Sequence, residues 1–226
     1  MSTPRLVEVR KNVLKKNDEV ARALRQRFSD AGVFVVSLVS SPGAGKTALL
    51  ERTLEGLSDR HRVAAVVGDL ATENDANRLA RSGAPVRQIT TGTLCHLEAA
   101  MVEDAVSQWP LDSLDILFVE NVGNLVCPSS YDLGEHLRVV LLSVTEGEDK
   151  PLKYPTIFNT ADIALVTKTD LAVPCDFNWQ AASQSIESMR PGMTTLRVSV
   201  KTGEGMDEWL RLIEQRKLAA AGEFVA

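Results

Sequence analysis

Ser40-Ser41-Pro42-Gly43-Ala44-Gly45-Lys46-Thr47 stands between the apolar run Val33–Val39 and a helical pattern opening at Ala48-Leu49-Leu50. A glycine-containing turn that joins a strand to a helix lets backbone N–H groups curl around phosphate oxygens. Lys46, at its end, is placed to reach β/γ-phosphates, and the Thr47 hydroxyl to ligate Mg²⁺. A turn that merely capped a helix would leave a lysine in the first turn unexplained, because the helix dipole disfavours a cation there. Pro42, Gly43, Ala44, Gly45, Lys46, Thr47 and Ala48 are therefore the candidate phosphate-binding residues. Ser40 occupies the place where such a motif ordinarily begins with glycine.

Outward from this loop, short β-branched runs alternate with longer helical patterns. The runs are Val33–Val39, Val63–Val67, Val86–Ile89, Ile116–Val119, Val139–Val144, Ile163–Val166 and Thr194–Val198. Helices are expected over Ala48–Leu57, Asn74–Arg81, Leu97–Gln108, Trp179–Met189 and Met206–Ala220. Strands apolar throughout are buried on both faces, so the fold class is α/β, a mainly parallel sheet flanked by helices. Between Arg5 and Phe28 the apolar residues Leu6, Val7, Val9, Val13, Leu14, Val20, Ala23 and Leu24 recur at helical spacing among many charges. They predict one or two amphipathic helices that cover a sheet edge or pack on a partner.

The chain has 226 residues, 44% of them hydrophobic, enough for one globular domain over 1–226 with residues 1–30 packed on it as a helical segment. With 25 basic and 30 acidic residues the net charge is −5, which offers no broad footprint for nucleic acid or an acidic membrane. No apolar run approaches bilayer length, and the first thirty residues are too interrupted by charge for a secretory signal. A cytoplasmic location is expected. Three cysteines, Cys95, Cys127 and Cys175, are too few and odd in number for a disulfide framework, so reduced thiols are expected.

In such a sheet, ligands gather at the carboxyl ends of strands. Asp69, in Gly68-Asp69-Leu70, and Glu120, before Asn121-Val122-Gly123, end two of the runs. A carboxylate there can hold Mg²⁺ directly or through water, or orient an attacking water. Gly123 can present its N–H to a γ-phosphate. Asp75 joins this group as a candidate, with the alternative that it is an acidic residue in the first turn of a helix.

The choice of base rests on Thr167-Lys168-Thr169-Asp170 and Ser199-Val200-Lys201-Thr202. The first resembles the Asn-Lys-x-Asp signature of GTPases, in which the acid accepts from the guanine N1–H and exocyclic amine while the lysine stem lies along the base. By that resemblance Asp170 reads guanine and Lys168 covers it. Ser199, Val200 and Lys201 resemble the following signature, whose backbone approaches the guanine O6. Thr167 replaces the usual asparagine, so a contact that braces the loop is expected to be weaker.

Cys95-His96 and Cys127 fall in loops on the same side of the sheet, the former where a helix is expected to begin. A free cysteine is usually a small buried hydrophobe and a lone histidine is usually structural. Two thiols and an imidazole together suit Zn²⁺ or Ni²⁺. Adjacency of Cys95 and His96 strains joint chelation of one ion, so four-coordination is most simply completed across the two-fold axis of a homodimer. Cys175 has no such companion and is expected to be structural.

These residues together resemble the hydrogenase nickel-incorporation GTPases of the HypB family, within the SIMIBI class of P-loop proteins. The resemblance runs from Lys16-Asn17-Asp18-Glu19 through Ser41–Thr47, Thr91–His96, Glu120–Pro128 and the stretch from Val144 to Pro155 to Ser199–Gly203. Glu120-Asn121-Val122-Gly123-Asn124-Leu125-Val126-Cys127-Pro128 is its most specific part. The resemblance implies a GTPase that dimerises with nucleotide and carries Ni²⁺ or Zn²⁺ between subunits through Cys95, His96 and Cys127. It also implies a HypA-type nickel metallochaperone and a [NiFe]-hydrogenase large-subunit precursor as partners. The amino-terminal Cys-x-x-Cys-Gly-Cys or histidine-rich stretch of some members has no counterpart before Cys95.

Three other readings compete. A urease-maturation GTPase shares the fold but reads Cys-Pro-His where this chain has Cys127-Pro128-Ser129. A small-molecule kinase usually needs an arginine-bearing lid, and the sequence offers no clear one. A passive metal-binding module has no use for a full set of nucleotide loops.

Overall fold

The computed structural model describes residues 5–69 and 74–224, with side chains described over 12–69 and 75–222. The amino-terminal helix is a single one, α1 (Arg5–Asp30). Leu6, Val7 and Val9 lie outside the described side chains. From Asn17 onward one face of α1, Asn17, Ala21, Leu24 and Phe28, is buried at the i, i+4, i+7, i+11 spacing of a helix stripe. That stripe covers a face of the sheet, not the edge expected from the sequence: Leu24 and Phe28 pack with Val33, Val35 and Leu117.

The chain then runs through β1 (Phe34–Ser40), α2 (Lys46–Leu57), β2 (Val63–Asp69), α3 (Asn74–Leu79), β3 (Val86–Thr90) and α4 (Ala99–Val106). It continues through β4 (Ile116–Glu120), β5 (Leu137–Ser143), α5 (Lys150–Lys153), α6 (Pro155–Thr160), β6 (Ile163–Thr167), α7 (Trp179–Met189), β7 (Thr194–Val198) and α8 (Met206–Phe224). The seven strands form one parallel sheet in the order β3-β2-β4-β1-β5-β6-β7. β1 lies between β4 and β5, so successive crossovers leave it to opposite sides and open a crevice at its carboxyl end.

Alternate residues of β1 serve the two faces. Phe34, Val36 and Leu38 pack against Leu49, Leu50 and Leu54 of α2 and Trp209 and Ile213 of α8. Val35 and Val39 point the other way, Val35 under α1 and α4, Val39 toward α6 and α7. Such burial on both faces is why these runs are legible as strands without alternation.

Several boundaries differ from the expected ones. β5 stops at Ser143 because Ser143 and Glu146 form a reciprocal capping box that turns Val144–Glu146 into a 3₁₀ turn. α3 ends at Leu79 and tightens into 3₁₀ over Ala80–Ser82. α4 begins at Ala99, not Leu97, because its end is capped from afar: the Asn17 side chain accepts from Ala99 N–H at 2.9 Å and donates to the Asp132 carbonyl at 2.8 Å. Among the described residues, no helix is long and apolar enough to cross a membrane.

His136 ties α1 to the sheet. Its Nδ1 accepts from Val35 N–H at 3.0 Å and its Nε2 lies 3.0 Å from the Ser29 hydroxyl. Burial, with Arg25 nearby, pushes the imidazole down to about 4. The folded state therefore prefers the neutral ring. The stability this gives is full above the unfolded value of about 6.5 and is lost as pH falls toward 4. Thermal melts between pH 7 and 4 should show the loss, and His136→Gln should flatten that part of the profile.

Candidate functional site

The loop from Ser40 to Thr47 leaves β1 at the crevice and enters α2 through Gly45, whose φ of 96° is left-handed and favours glycine. Pro42, Gly43, Gly45, Lys46, Thr47, Ala48, Asp69, Asp75, Glu120, Gly123 and Lys168 line one chamber of about 520 Å³. That volume falls within the range of small-ligand sites. Ala44, Asp170, Val200 and Lys201 line a neighbouring slot of about 450 Å³, floored by Leu49, Leu171 and Val198. An apolar slot beside a chamber lined by Lys46, Asp69, Asp75 and Glu120 is suited to an aromatic base beside charged groups. Ser199 does not line the slot; it is fully buried behind it, and its hydroxyl donates to Asp170 Oδ1 at 2.7 Å.

Both departures from the usual motifs have a structural use. Ser40 is fully buried, and its hydroxyl receives the Lys46 ammonium at 3.0 Å. Thr167 was expected to weaken the brace on the loop, yet its hydroxyl donates to the Ala44 carbonyl at 2.7 Å. A β-branched threonine at the end of a strand holds its hydroxyl in few rotamers, which suits this contact. Lys168, itself at a φ of 59°, lays its stem beside Gly45 and donates to the Gly43 carbonyl at 2.6 Å. The base and phosphate loops are thereby clamped together.

Electrostatics mark the floor of the chamber. Glu120 is buried; its Oε1 accepts from the Thr47 hydroxyl at 2.8 Å, and its Oε2 makes no hydrogen bond among the described residues. Burial pushes its carboxyl up to about 7, against the lowering pull of Lys46 and the Thr47 hydroxyl. Burial likewise lowers Lys46, opposed by Glu120 and Asp75. An orphaned buried carboxylate oxygen beside a hydroxyl, with Asp69 and Asp75 also facing the chamber, is a hard-oxygen donor set that fits Mg²⁺.

The thiol and imidazole group lies just outside the chamber. Adjacency of Cys95 and His96 does not keep them apart: a sulfur or nitrogen of each, with Cys127 Sγ, lie within 4.8 Å of one another. Cys95 Sγ is 2.8 Å from Cys127 Sγ and 4.0 Å from His96 Nδ1. The buried Nε2 of His96 makes no hydrogen bond among the described residues and faces Glu98 at 3.5 Å, while Tyr131 packs on the ring at a centroid distance of 4.0 Å. A pair of thiols and a sterically fixed imidazole can hold a borderline-soft divalent ion and leave a coordination position open. Leu94 (39% exposed) and Val126 (61% exposed) flank the two cysteines with apolar surface. Cys175, expected to be structural for want of a companion, lies outside this group on an exposed surface turn beside Val173, itself 90% exposed.

One loop borders both places. Glu120, Asn121, Val122 and Gly123 line the phosphate chamber, and four residues on is Cys127. A Cβ on Gly123 would come within 3.0 Å of the Pro42 backbone, so this loop lies directly on the phosphate loop. Asn121 Oδ1 accepts from Leu97 N–H at 3.0 Å, and Asn124 Nδ2 donates to the Cys95 carbonyl at 3.2 Å. These two asparagines, overlooked in the sequence reading, staple the loop to the Cys95–Leu97 segment. Arg78, also overlooked, lines both the chamber and the slot.

A family model described as CobW/HypB/UreG, nucleotide-binding domain, matches residues 34–197. The chain is similar to the hydrogenase maturation factor HypB of Azotobacter vinelandii, 48% identical over 96% of this chain and 72% of that protein. It is 39% identical to the hydrogenase/urease maturation factor HypB of Helicobacter pylori, over 93% of this chain and 88% of that one. The crystal structure of HypB from Helicobacter pylori in complex with nickel superposes with a TM-score of 0.86, covering 90% of this chain and 96% of the other at 39% identity.

Proposed function

The chain belongs to the HypB hydrogenase maturation factors, in the CobW/HypB/UreG family of nucleotide-binding domains, and on that premise we propose that it couples GTP hydrolysis to the handling of nickel for a [NiFe]-hydrogenase. The observation that carries this reading is the shared loop: Glu120–Gly123 borders the phosphates and Cys127 meets Cys95 and His96.

In the hydrolytic step Pro42–Ala48 cradle the phosphates, Lys46 leaves Ser40 to neutralise the β/γ oxygens, and Thr47, Asp69, Asp75 and Glu120 form the oxygen shell for Mg²⁺. Bound Mg²⁺ supplies charge neutralisation on the transferring phosphoryl group. Asp69 or Glu120 orients the attacking water, and Gly123 N–H meets the γ-phosphate. Asp170 reads the guanine N1–H and exocyclic amine, Lys168 covers the base, Val200 and Lys201 close its far side, and Ser199 holds Asp170 from behind. Burial pushes the Glu120 carboxyl up to about 7, so cation binding there should expel a proton near neutral pH. Titrating Mg²⁺ into the GDP-bound protein in buffers of different ionisation enthalpy should therefore show proton release at pH 7. Release should fall as pH rises above 8 and vanish in Glu120→Gln; pH-independent release would remove Glu120 from the shell.

Nickel is the cargo, with zinc as an alternative occupant. Cys95, His96 and Cys127 supply three donors per chain, and the apolar Leu94 and Val126 beside them suit an interface between two copies. Cys95 and Cys127 from each subunit then complete the ion's shell. A HypA-type nickel metallochaperone and a [NiFe]-hydrogenase large-subunit precursor are the proposed partners before and after, in the cytoplasm. A urease precursor is the alternative client, favoured only by the name of the Helicobacter pylori relative.

Cys127→Ala should bring bound metal from about one ion per dimer to background while leaving GDP affinity within about twofold, since Lys46 and Asp170 are untouched. Metal analysis after gel filtration, with nucleotide titration of the same sample, checks both halves. Full metal retention would exclude Cys127 as a ligand.

A further inference from the structure

The phosphate chamber and the base slot meet at four residues common to both, Gly45, Ala48, Arg78 and Lys168. With the base against Asp170 and the β/γ-phosphates at Lys46, the part of the nucleotide that crosses this junction is the ribose and α-phosphate. Two of the four residues are cations. Lys168 already donates to the Gly43 carbonyl, so its charge is anchored on the wall of the loop. Arg78 is different: its Nε donates to Glu51 Oε2 at 2.6 Å, and among the described residues its two terminal nitrogens make no hydrogen bond. A guanidinium has five N–H donors in a planar fork, so four remain for a ligand. Glu51 is the less exposed of the pair and stands on α2, the helix that the phosphate loop opens. It fixes the plane of the fork relative to that loop.

We propose that Arg78 binds the α-phosphate of the nucleotide with its terminal nitrogens, and that Glu51 is the residue that positions it. The assignment rests on the proposed guanine nucleotide site. It prefers the α-phosphate to the ribose because a planar, permanently charged fork pairs with an anion's two oxygens better than with neutral hydroxyls.

The test uses the full chain and compares GDP with its two α-thio diastereomers and with the β-thio analogue. Sulfur in place of the contacted oxygen weakens the hydrogen bonds it accepts, so the wild type should bind one α-thio diastereomer less well than GDP. In Arg78→Ala, GDP should bind about tenfold more weakly, the loss of one charge-assisted contact. The α-thio penalty should shrink at least threefold, while the β-thio penalty stays as in the wild type. Arg78→Lys, which keeps the charge and packing without the fork, should shrink the α-thio penalty too, with a smaller loss for GDP. Glu51→Gln should fall between wild type and Arg78→Ala. An α-thio penalty unchanged in Arg78→Lys and Arg78→Ala would overturn the assignment, as would equal changes at the α and β positions. Failure of the wild type to bind GDP at all would instead overturn the nucleotide site itself.

Discussion

Lys46→Ala is expected to lower GTP turnover by roughly 10³-fold or more, the scale on which a preorganised charge at developing phosphoryl oxygens counts. No second cation stands at the end of the loop. Lys168 and Arg78 also line the chamber, but Lys168 is held on the Gly43 carbonyl and Arg78 on Glu51, whereas Lys46 belongs to the phosphate loop itself. The variant should nonetheless fold. Among the described residues Lys46 is buried without an ion pair, and its ammonium rests on a serine hydroxyl that already donates to the Ser41 carbonyl, so removing it strands no described charge partner in direct contact. Its loss also removes a charge that lowers the Glu120 carboxyl, and burial then acts on that acid unopposed by the lysine. Phosphate release without any acceptor, together with a thermal melt, checks the expectation and separates a GTPase from a kinase. Turnover within threefold of the wild type in a folded variant would reject the role of Lys46.

Asp170→Asn is expected to weaken GTP by roughly 10²-fold or more and to favour xanthosine triphosphate. The direction follows from Ser199. Its buried hydroxyl donates to one carboxylate oxygen of Asp170 at 2.7 Å, so in the variant it selects the amide oxygen and turns the NH₂ outward toward the slot. A donor now faces the position where guanine carries its own amine and xanthine a carbonyl. Lys201 does not prevent this: its ammonium is 3.9 Å from the other oxygen on a side chain 80% exposed. Competition binding of the two triphosphates reads the switch. A preserved preference for GTP would mean that Asp170 does not read the base.

Much of this arrangement is legible in the sequence, because its signals are local. Phe34–Ser40 and Ile116–Glu120 are buried along their whole length and, apart from Ser37, Ser40 and Glu120, apolar, since both faces of those strands are covered, and no alternation had to be found. The phosphate loop declares itself by strand, glycines, lysine and helix in succession. What escaped depends on residues far apart in the chain. Nothing near Asn17 shows that it caps a helix starting at Ala99, and nothing near Arg78 shows that α3 places it between two chambers. Thr167 looked like a loss because its asparagine-like role depends on the carbonyl of Ala44, 123 positions away. Cys95, His96 and Cys127 were legible as a group from their loops on one side of the sheet, but the adjacency of Cys95 and His96 argued against joint chelation of one ion, which their convergence within 4.8 Å allows. The backbone turn that brings His96 beside Cys127 is held by Asn121 and Asn124, whose partners lie in the other loop.

The central claim is that nucleotide state and metal affinity are linked through the Gly123–Cys127 loop. On the proposed function, a γ-phosphate that drew Gly123 inward would shift the segment stapled by Asn121 and Asn124 and move Cys127 relative to its mates. By linkage, metal then changes nucleotide affinity by the same factor. The direct measurement is a Ni²⁺ titration of the wild type with GDP and with a non-hydrolysable GTP analogue, repeated in Cys127→Ala. The predicted result is a difference of about fivefold or more between the two nucleotide states of the wild type, absent in the variant. Equal wild-type affinity in both states would contradict the account, even with Cys127 established as a ligand.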